Sequence, residues 1–166
     1  MGEHEASTFD DRMAVEPDGR DDSAMRQEDE SMPSEDVEHR GACHCGAVTF
    51  VVKGPISRAM RCTCSICSRI GAIWHGTADA GVVIVSGEGE LSEYRFGTMT
   101  AKHYFCRHCG IHPLTRPRLN PTMWAVNLRC VDGLDADALP ASTFDGANWE
   151  AAAEALLTSL RRNSQA

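Results

Sequence analysis

Along the first 38 residues no period of two or of 3.6 is sustained, and apolar residues stand singly among Asp, Glu, Ser and Met. A stretch of this kind buries too little apolar surface to offset the entropy of ordering it, so residues 1–38 read as a disordered acidic tail. The texture changes at His39. Ala47 to Val52 is a short apolar, β-branched run that ends at Lys53-Gly54-Pro55, a turn signal. Val82 to Val85 is a second run, closed by Ser86-Gly87-Glu88-Gly89. Leu91 to Phe96 alternates and stops at Gly97, and Ala101 to Phe105 and Met123 to Leu128 are further strand candidates. Turn signals at short intervals between such runs predict a mostly β domain over 39–166.

One segment has a different period. After Asp145 or Asn148, either of which can cap a helix, Trp149, Ala152, Ala153, Leu156, Leu157 and Leu160 fall at i, i+3, i+4 spacing. This predicts a short C-terminal helix over about 148–162, its apolar face laid on the sheet. Arg161 and Arg162 near its end suit the helix dipole.

Composition and charge then narrow the class. The chain has 166 residues, 42% hydrophobic and 24% charged, in the range of a soluble globular protein. No apolar run approaches the roughly 20 residues that a membrane span needs. No secretory signal pattern opens the chain, which makes the cytoplasm the expected location. The net charge of −8 is unevenly spread. Residues 1–38 hold 14 acids against Arg12, Arg20 and Arg26, and the remainder is slightly positive, at +3. That body is too weakly basic to argue for nucleic acid. No dinucleotide or phosphate-loop motif appears, which argues against a nucleotide cofactor.

The chemistry sits in the cysteines. Seven of the eight form three groups: Cys43-His-Cys45, Cys62-Thr-Cys64-Ser-Ile-Cys67 and Cys106-Arg-His-Cys109. Short spacings of this kind, without an export signal, indicate metal rather than disulfides. Zinc favours four tetrahedral ligands and thiolate, and each pair supplies half a site. The pairs 43/45 and 106/109 make one closed site, leaving three cysteines for a second site with an open position. Spacing leaves other pairings available: Cys62 and Cys64 with 43/45, or Cys130 filling the vacancy. His44 and His108 lie between cysteines and are expected to point away from the metal. His75 and His112 are the outside candidates for a role near an open zinc. His103, in a strand candidate, reads as an ordinary hydrogen-bonded histidine.

Gly41-Ala-Cys-His-Cys-Gly-Ala-Val-Thr-Phe50, Arg61-Cys-Thr-Cys-Ser-Ile-Cys67 and Phe96-Gly-Thr-Met-Thr-Ala-Lys-His-Tyr-Phe-Cys-Arg-His-Cys-Gly110 resemble the glutathione-dependent formaldehyde-activating enzyme family, which includes the centromere protein V domain. The resemblance runs from about 39 to 133. It implies an Mss4-like zinc-bound β-sheet fold and two zinc ions per chain. It implies that Cys43, Cys45, Cys106 and Cys109 hold a structural zinc and that Cys62, Cys64 and Cys67 hold the second. Cys130 has no metal role in that scheme and reads as a buried thiol.

The activity so implied is that of a carbon–sulfur lyase acting on a thiol–aldehyde adduct such as S-hydroxymethylglutathione. The substrate sulfur is expected at the open position of the Cys62/Cys64/Cys67 zinc. His75, Ser65 and Ser68 are candidate donors to the developing oxygen charge. Glutathione is anionic, so Arg116 and Arg118 are the candidate binding cations, with Arg61 and Arg69 beside the cysteines. Two other readings stand beside this one: a non-catalytic two-zinc module for a protein or nucleic-acid partner, and a redox or zinc sensor.

Overall fold

The computed structural model describes residues 37–163. The acidic tail expected over 1–38 lies outside the described residues except for its last two positions. The Val37 carbonyl accepts from Gly54 N at 2.8 Å, and Glu38 opens the first strand.

A three-stranded antiparallel sheet is formed by β1 (Glu38–Ala42), β2 (Thr49–Lys53) and β5 (Val82–Ser86), in the order β1-β2-β5. The second sheet has seven strands. They are β3 (Ala59–Cys62), β4 (Trp74–Thr77), β6 (Leu91–Tyr94), β7 (Lys102–Cys106), β8 (Leu114–Arg116), β9 (Trp124–Asn127) and β10 (Ala141–Phe144), in the order β10-β3-β4-β9-β8-β7-β6. Every pairing is antiparallel except that of β10 with β3. Two α-helices complete the chain, α1 (Ser65–Ile70) and α2 (Trp149–Asn163). No helix among the described residues is long and apolar enough to cross a membrane.

The β-branched run Val-Val-Ile-Val explains β5: Val82 is buried and Ile84 packs on the core, while Val83 and Val85 face outward. The main core joins the two sheets. Phe50 and Val52 of β2 meet Ala59, Leu114, Trp124 and Val126 of the larger sheet, together with Ile73 and Leu128. Alternation along those same strands sends the intervening side chains to the opposite face. That second face carries Met60, Cys62, Trp74, Gly76, His103, Thr115 and Ala125, and it lines a cavity.

The C-terminal helix is present, but it does not lie flat on the sheet. Of its expected apolar face only Ala153 is fully buried, while Leu157 and Leu160 are 41% and 54% exposed. The reason is the cavity: Trp149, Leu156 and Leu160 form one wall of it instead of closing onto the strands.

Candidate metal centres and an apolar cavity

The four-cysteine group is made by two turns. In the first, Gly46 N donates to the Cys43 carbonyl at 3.1 Å, and Gly46 adopts φ +76°, which glycine takes without steric cost. In the second, Gly110 N donates to the Cys106 carbonyl at 2.8 Å, with φ +73° at Gly110. Each turn points its two sulfurs the same way. Cys43 Sγ lies 3.6 Å from Cys45 Sγ, and Cys45 Sγ lies 3.7 Å from Cys106 Sγ. All four sulfurs fall within 4.8 Å of one another. Val48 N donates to Cys43 Sγ at 3.3 Å. The backbone N–H of Ile111 draws Cys109 down to about 6. Cys43 and Cys106 are buried.

The three-cysteine group is built differently. Cys62 ends β3, Cys64 is the N-cap of α1 with φ −63° and ψ 162°, and Cys67 lies in the first turn of α1. Spacing i, i+3 at a helix start sets Cys64 and Cys67 on one side, and Gly71 stops the helix in the left-handed region with φ +62°. The three sulfurs lie within 4.8 Å of one another, and among the described residues no fourth His, Cys, Asp or Glu joins them. They share protons: hydrogen bonds from Cys62 and Cys67, helped by the backbone N–H groups of Cys67 and Ile66, hold Cys64 down to about 2. The same bonds to Cys62 and Cys64, with burial, push Cys67 up. Trp74 Nε1 also donates to Cys67 Sγ at 3.3 Å.

Both donor sets fit zinc, which takes thiolate sulfur and is four-coordinate in closed structural sites, or three-coordinate by protein with one open position in catalytic ones. Cys130 belongs to neither set. It sits in the main core with its thiol pushed up to about 12 by burial. The alternative pairings left by spacing are therefore not those of the fold.

The three-cysteine group opens into a cavity of about 410 Å³. Its walls are mostly apolar: Trp74, Phe96, Phe144 and Trp149 are the aromatic members, and Met60, Met123 and the leucines fill between them. Thr115 and His103 are its main neutral polar groups. Thr115 Oγ1 donates to the Lys102 carbonyl at 2.8 Å and lies 3.3 Å from His103 Nδ1. With its one hydrogen committed to the shorter bond, the hydroxyl accepts from the ring, so the ring proton is assigned to Nδ1 and Nε2 keeps its lone pair. Burial holds the His103 pKa below the usual histidine value, and the imidazole is neutral at pH 7. Phe96 stacks on its other side at 5.6 Å.

Two expected site residues are placed elsewhere. His75 lies between Trp74 and Gly76 on β4, so the pleat turns it away from the cavity, and its Nδ1 sits 3.2 Å from the Arg58 carbonyl. Arg116 faces the other side of β8 from Thr115: its guanidinium lies 3.4 Å over Trp124 and 2.5 Å from Asp79. Arg118, beyond the strand end, does line the cavity. Its guanidinium lies 3.6 Å over the Trp149 ring and 3.0 Å from the Glu150 carboxylate. Arg61 pairs with Asp137 at 2.7 Å, and Arg69 donates to the Ser65 carbonyl at 2.6 Å. His112 meets the Phe105 ring at a tilt, 5.3 Å between centroids, outside the cavity, and His108 binds Glu90 at 2.6 Å. His103, expected to be an ordinary hydrogen-bonded histidine, is the one that lines the cavity. Its strand also carries Lys102, so a polar residue there gives no sequence signal of its own.

One loop holds the helix and the cysteines together. Thr63, between Cys62 and Cys64, donates through Oγ1 to Asp145 at 2.9 Å, and its amide donates to the Phe144 carbonyl at 3.1 Å. Ala147 N donates back to Thr63 Oγ1 at 3.3 Å. Gly146 packs so closely that a Cβ there would stand 2.5 Å from Cys62 Sγ and 2.9 Å from Cys64 N. Only glycine leaves room for the sulfurs.

Known proteins share these features. A Halomonas elongata protein provisionally named as a glutathione-dependent formaldehyde-activating enzyme is 35% identical over 79 residues, 42% of this chain and 50% of that protein. The chain thus matches about half the length of that relative. A crystal structure of a Rhodobacter sphaeroides protein, a structural-genomics target, is 40% identical and superposes with a TM-score of 0.57, covering 62% of this chain and 99% of that one. The family model described as glutathione-dependent formaldehyde-activating enzyme matches residues 38–145, well over half of the chain and both cysteine sets, and the protein belongs to that family.

Proposed function

We propose that the protein joins a thiol to an aldehyde, and cleaves the same adduct, in the cavity beside Cys62, Cys64 and Cys67. The observation that carries this reading is the opening of a three-thiol metal site into a cavity that also holds a neutral histidine. Cys43, Cys45, Cys106 and Cys109 would hold a structural zinc, and Cys62, Cys64 and Cys67 a second. A zinc ion held by three protein thiolates supplies positive charge that favours ionisation of a substrate thiol nearby.

The chain's own groups handle the proton. His103 Nε2 accepts it from the substrate S–H, while Nδ1–H stays bonded to Thr115. The sulfur forms its bond to the aldehyde carbon as the carbon–oxygen π pair moves to oxygen. That oxygen takes the proton back from His103, giving R–S–CH(OH)–R′. The reverse sequence breaks the carbon–sulfur bond and is the lyase direction. The mostly apolar walls lower the local polarity, which strengthens these transfers. Walls of this kind favour a small molecule over a macromolecular partner. The family description makes glutathione and formaldehyde the first pair to test.

The test is isotope-edited NMR with carbon-13 formaldehyde, glutathione and the metal-loaded full chain. Adduct exchange faster than the uncatalysed rate is expected, and Cys62→Ala should remove the acceleration. Exchange at the background rate, with both sites metal-loaded, would sink the enzyme reading.

A further inference from the structure

The cavity walls carry more information than the metal site beside them. Glutathione bears two carboxylates and an ammonium group. Among the described residues, the charged side chain that lines the cavity is Arg118, and it is already shared between the Trp149 ring and the Glu150 carboxylate. His103 is neutral. A site built to enclose a multiply charged tripeptide needs paired charges, because burying an unpaired carboxylate is costly. The walls instead offer Trp74, Phe96, Phe144 and Trp149, with Leu156 and Leu160 above.

The source of that apolar wall is informative. The family match ends at residue 145, and α2 starts at Trp149. Trp149, Leu156 and Leu160 therefore come from an element outside the matched region, whereas the cysteines, His103 and Thr115 lie within it. The shared part supplies the chemistry, and this chain's own helix shapes what enters. Phe144 and Trp149 meet edge to face at 6.4 Å, which frames a slot for a ring or a branched alkyl group.

We infer that the preferred adduct carries an uncharged aromatic or branched-alkyl group of roughly six to ten heavy atoms, seated between the C-terminal helix and the sheet. The inference rests on the thiol–aldehyde reading for its reaction, and on the cavity walls alone for its ligand class. The apolar group can enter on either partner, the thiol or the aldehyde. The addition is balanced in both cases: the thiol hydrogen ends on the former carbonyl oxygen, and no oxidant or reductant is needed.

Three substrate pairs separate the possibilities, with the metal-loaded full chain in each: benzyl mercaptan with formaldehyde, glutathione with phenylacetaldehyde, and glutathione with formaldehyde. One of the first two should exceed the third in kcat/KM by about tenfold or more, the discrimination that one or two apolar groups give in a hydrophobic pocket. Whichever pair wins identifies the partner that bears the apolar group. Leu160→Asp, at a half-exposed position that tolerates a charge, should cut that preference at least fivefold, and Leu156→Asn should do the same. Preference for glutathione with formaldehyde would overturn the inference while leaving the proposed reaction standing, as would a preference unchanged in both variants. Binding of 4-fluorobenzyl alcohol, followed by fluorine NMR, is the second readout. Binding that Leu160→Asp weakens, without turnover of any pair, would support the ligand class and sink the reaction. No binding and no turnover would overturn both.

Discussion

The two cysteine groups differ in how much of the fold stands on them. The four-cysteine group joins the end of β1 to the turn after β7, 61 residues apart between Cys45 and Cys106, and two of its sulfurs are fully enclosed. The three-cysteine group is local, spanning one strand end and one turn of a short helix, and it opens into a cavity. A crosslink between distant segments removes far more freedom from the unfolded chain than a local one. With an ion bound, the first group would therefore act as a folding device, as proposed above. The second can be spared for chemistry, because the sheet around it is held by other contacts.

The sharpest way to break this comparison is to remove one sulfur from each group. Cys106→Ala should abolish the cooperative thermal transition, since metal binding in such sites contributes folding free energy directly, on the order of 10 kcal/mol in small zinc domains. Cys62→Ala should stay folded, with a loss of about 1–3 kcal/mol and metal content falling from two ions to one by elemental analysis. Equal damage from both would erase the distinction.

Next in size is the proton-transfer pair. His103→Gln should lower turnover by about 10²- to 10⁴-fold, the usual contribution of a general acid–base, with both metals retained. Thr115→Val should cost about 1–3 kcal/mol of stability by leaving the His103 Nδ1–H buried and unpaired. His75→Gln, by contrast, should leave turnover within about twofold, since its side chain faces away from the cavity.

A pH series adds a smaller effect. Burial lowers the pKa of His75, His103 and His112 below the ordinary 6.5. The unfolded chain then binds more protons than the folded one between each lowered value and 6.5. Stability from these groups is complete above about pH 6.5 and is lost as pH falls from there through the lowered folded values. The urea midpoint at metal saturation should drop between pH 7 and pH 5. His112→Phe, which removes a buried Nδ1 with no partner, should flatten that slope. The smallest effect is expected from Glu150→Gln: its carboxylate is 78% exposed, so losing the ion pair with Arg118 should change stability by under about 1 kcal/mol.

Much of the fold was legible where a strand carries its own apolar run. β2, β5, β6, β7 and β9 follow their apolar runs, and the sulfurs of Cys43, Cys45, Cys106 and Cys109 gather in one group and those of Cys62, Cys64 and Cys67 in another. The strands that left no trace are short and mixed: Glu-His-Arg-Gly-Ala in β1, Ala-Met-Arg-Cys in β3, Trp-His-Gly-Thr in β4, Leu-Thr-Arg in β8 and Ala-Ser-Thr-Phe in β10. Their conformation is set by neighbours across the sheet rather than by their own composition. The six-residue α1 has too few turns to show a period. The cavity was illegible for a related reason: it is assembled from residues of six strands and both helices, and no single segment declares it. His75 and His103 look alike in sequence, and only the pleat decides that one faces the sulfurs and the other the Arg58 carbonyl.

Gly146 and Thr63 carry a final consequence. The loop that launches α2 rests against Cys62 Sγ and is tied to the residue between Cys62 and Cys64. Occupancy of the three sulfurs and seating of the helix thus share one piece of backbone, and reciprocity then applies: whatever factor a bound ion contributes to seating the helix, a seated helix returns to the affinity for the ion. Under the proposed two-metal reading, a molecule that fills the space under the helix would help retain the ion, and loss of either would weaken the hold on the other.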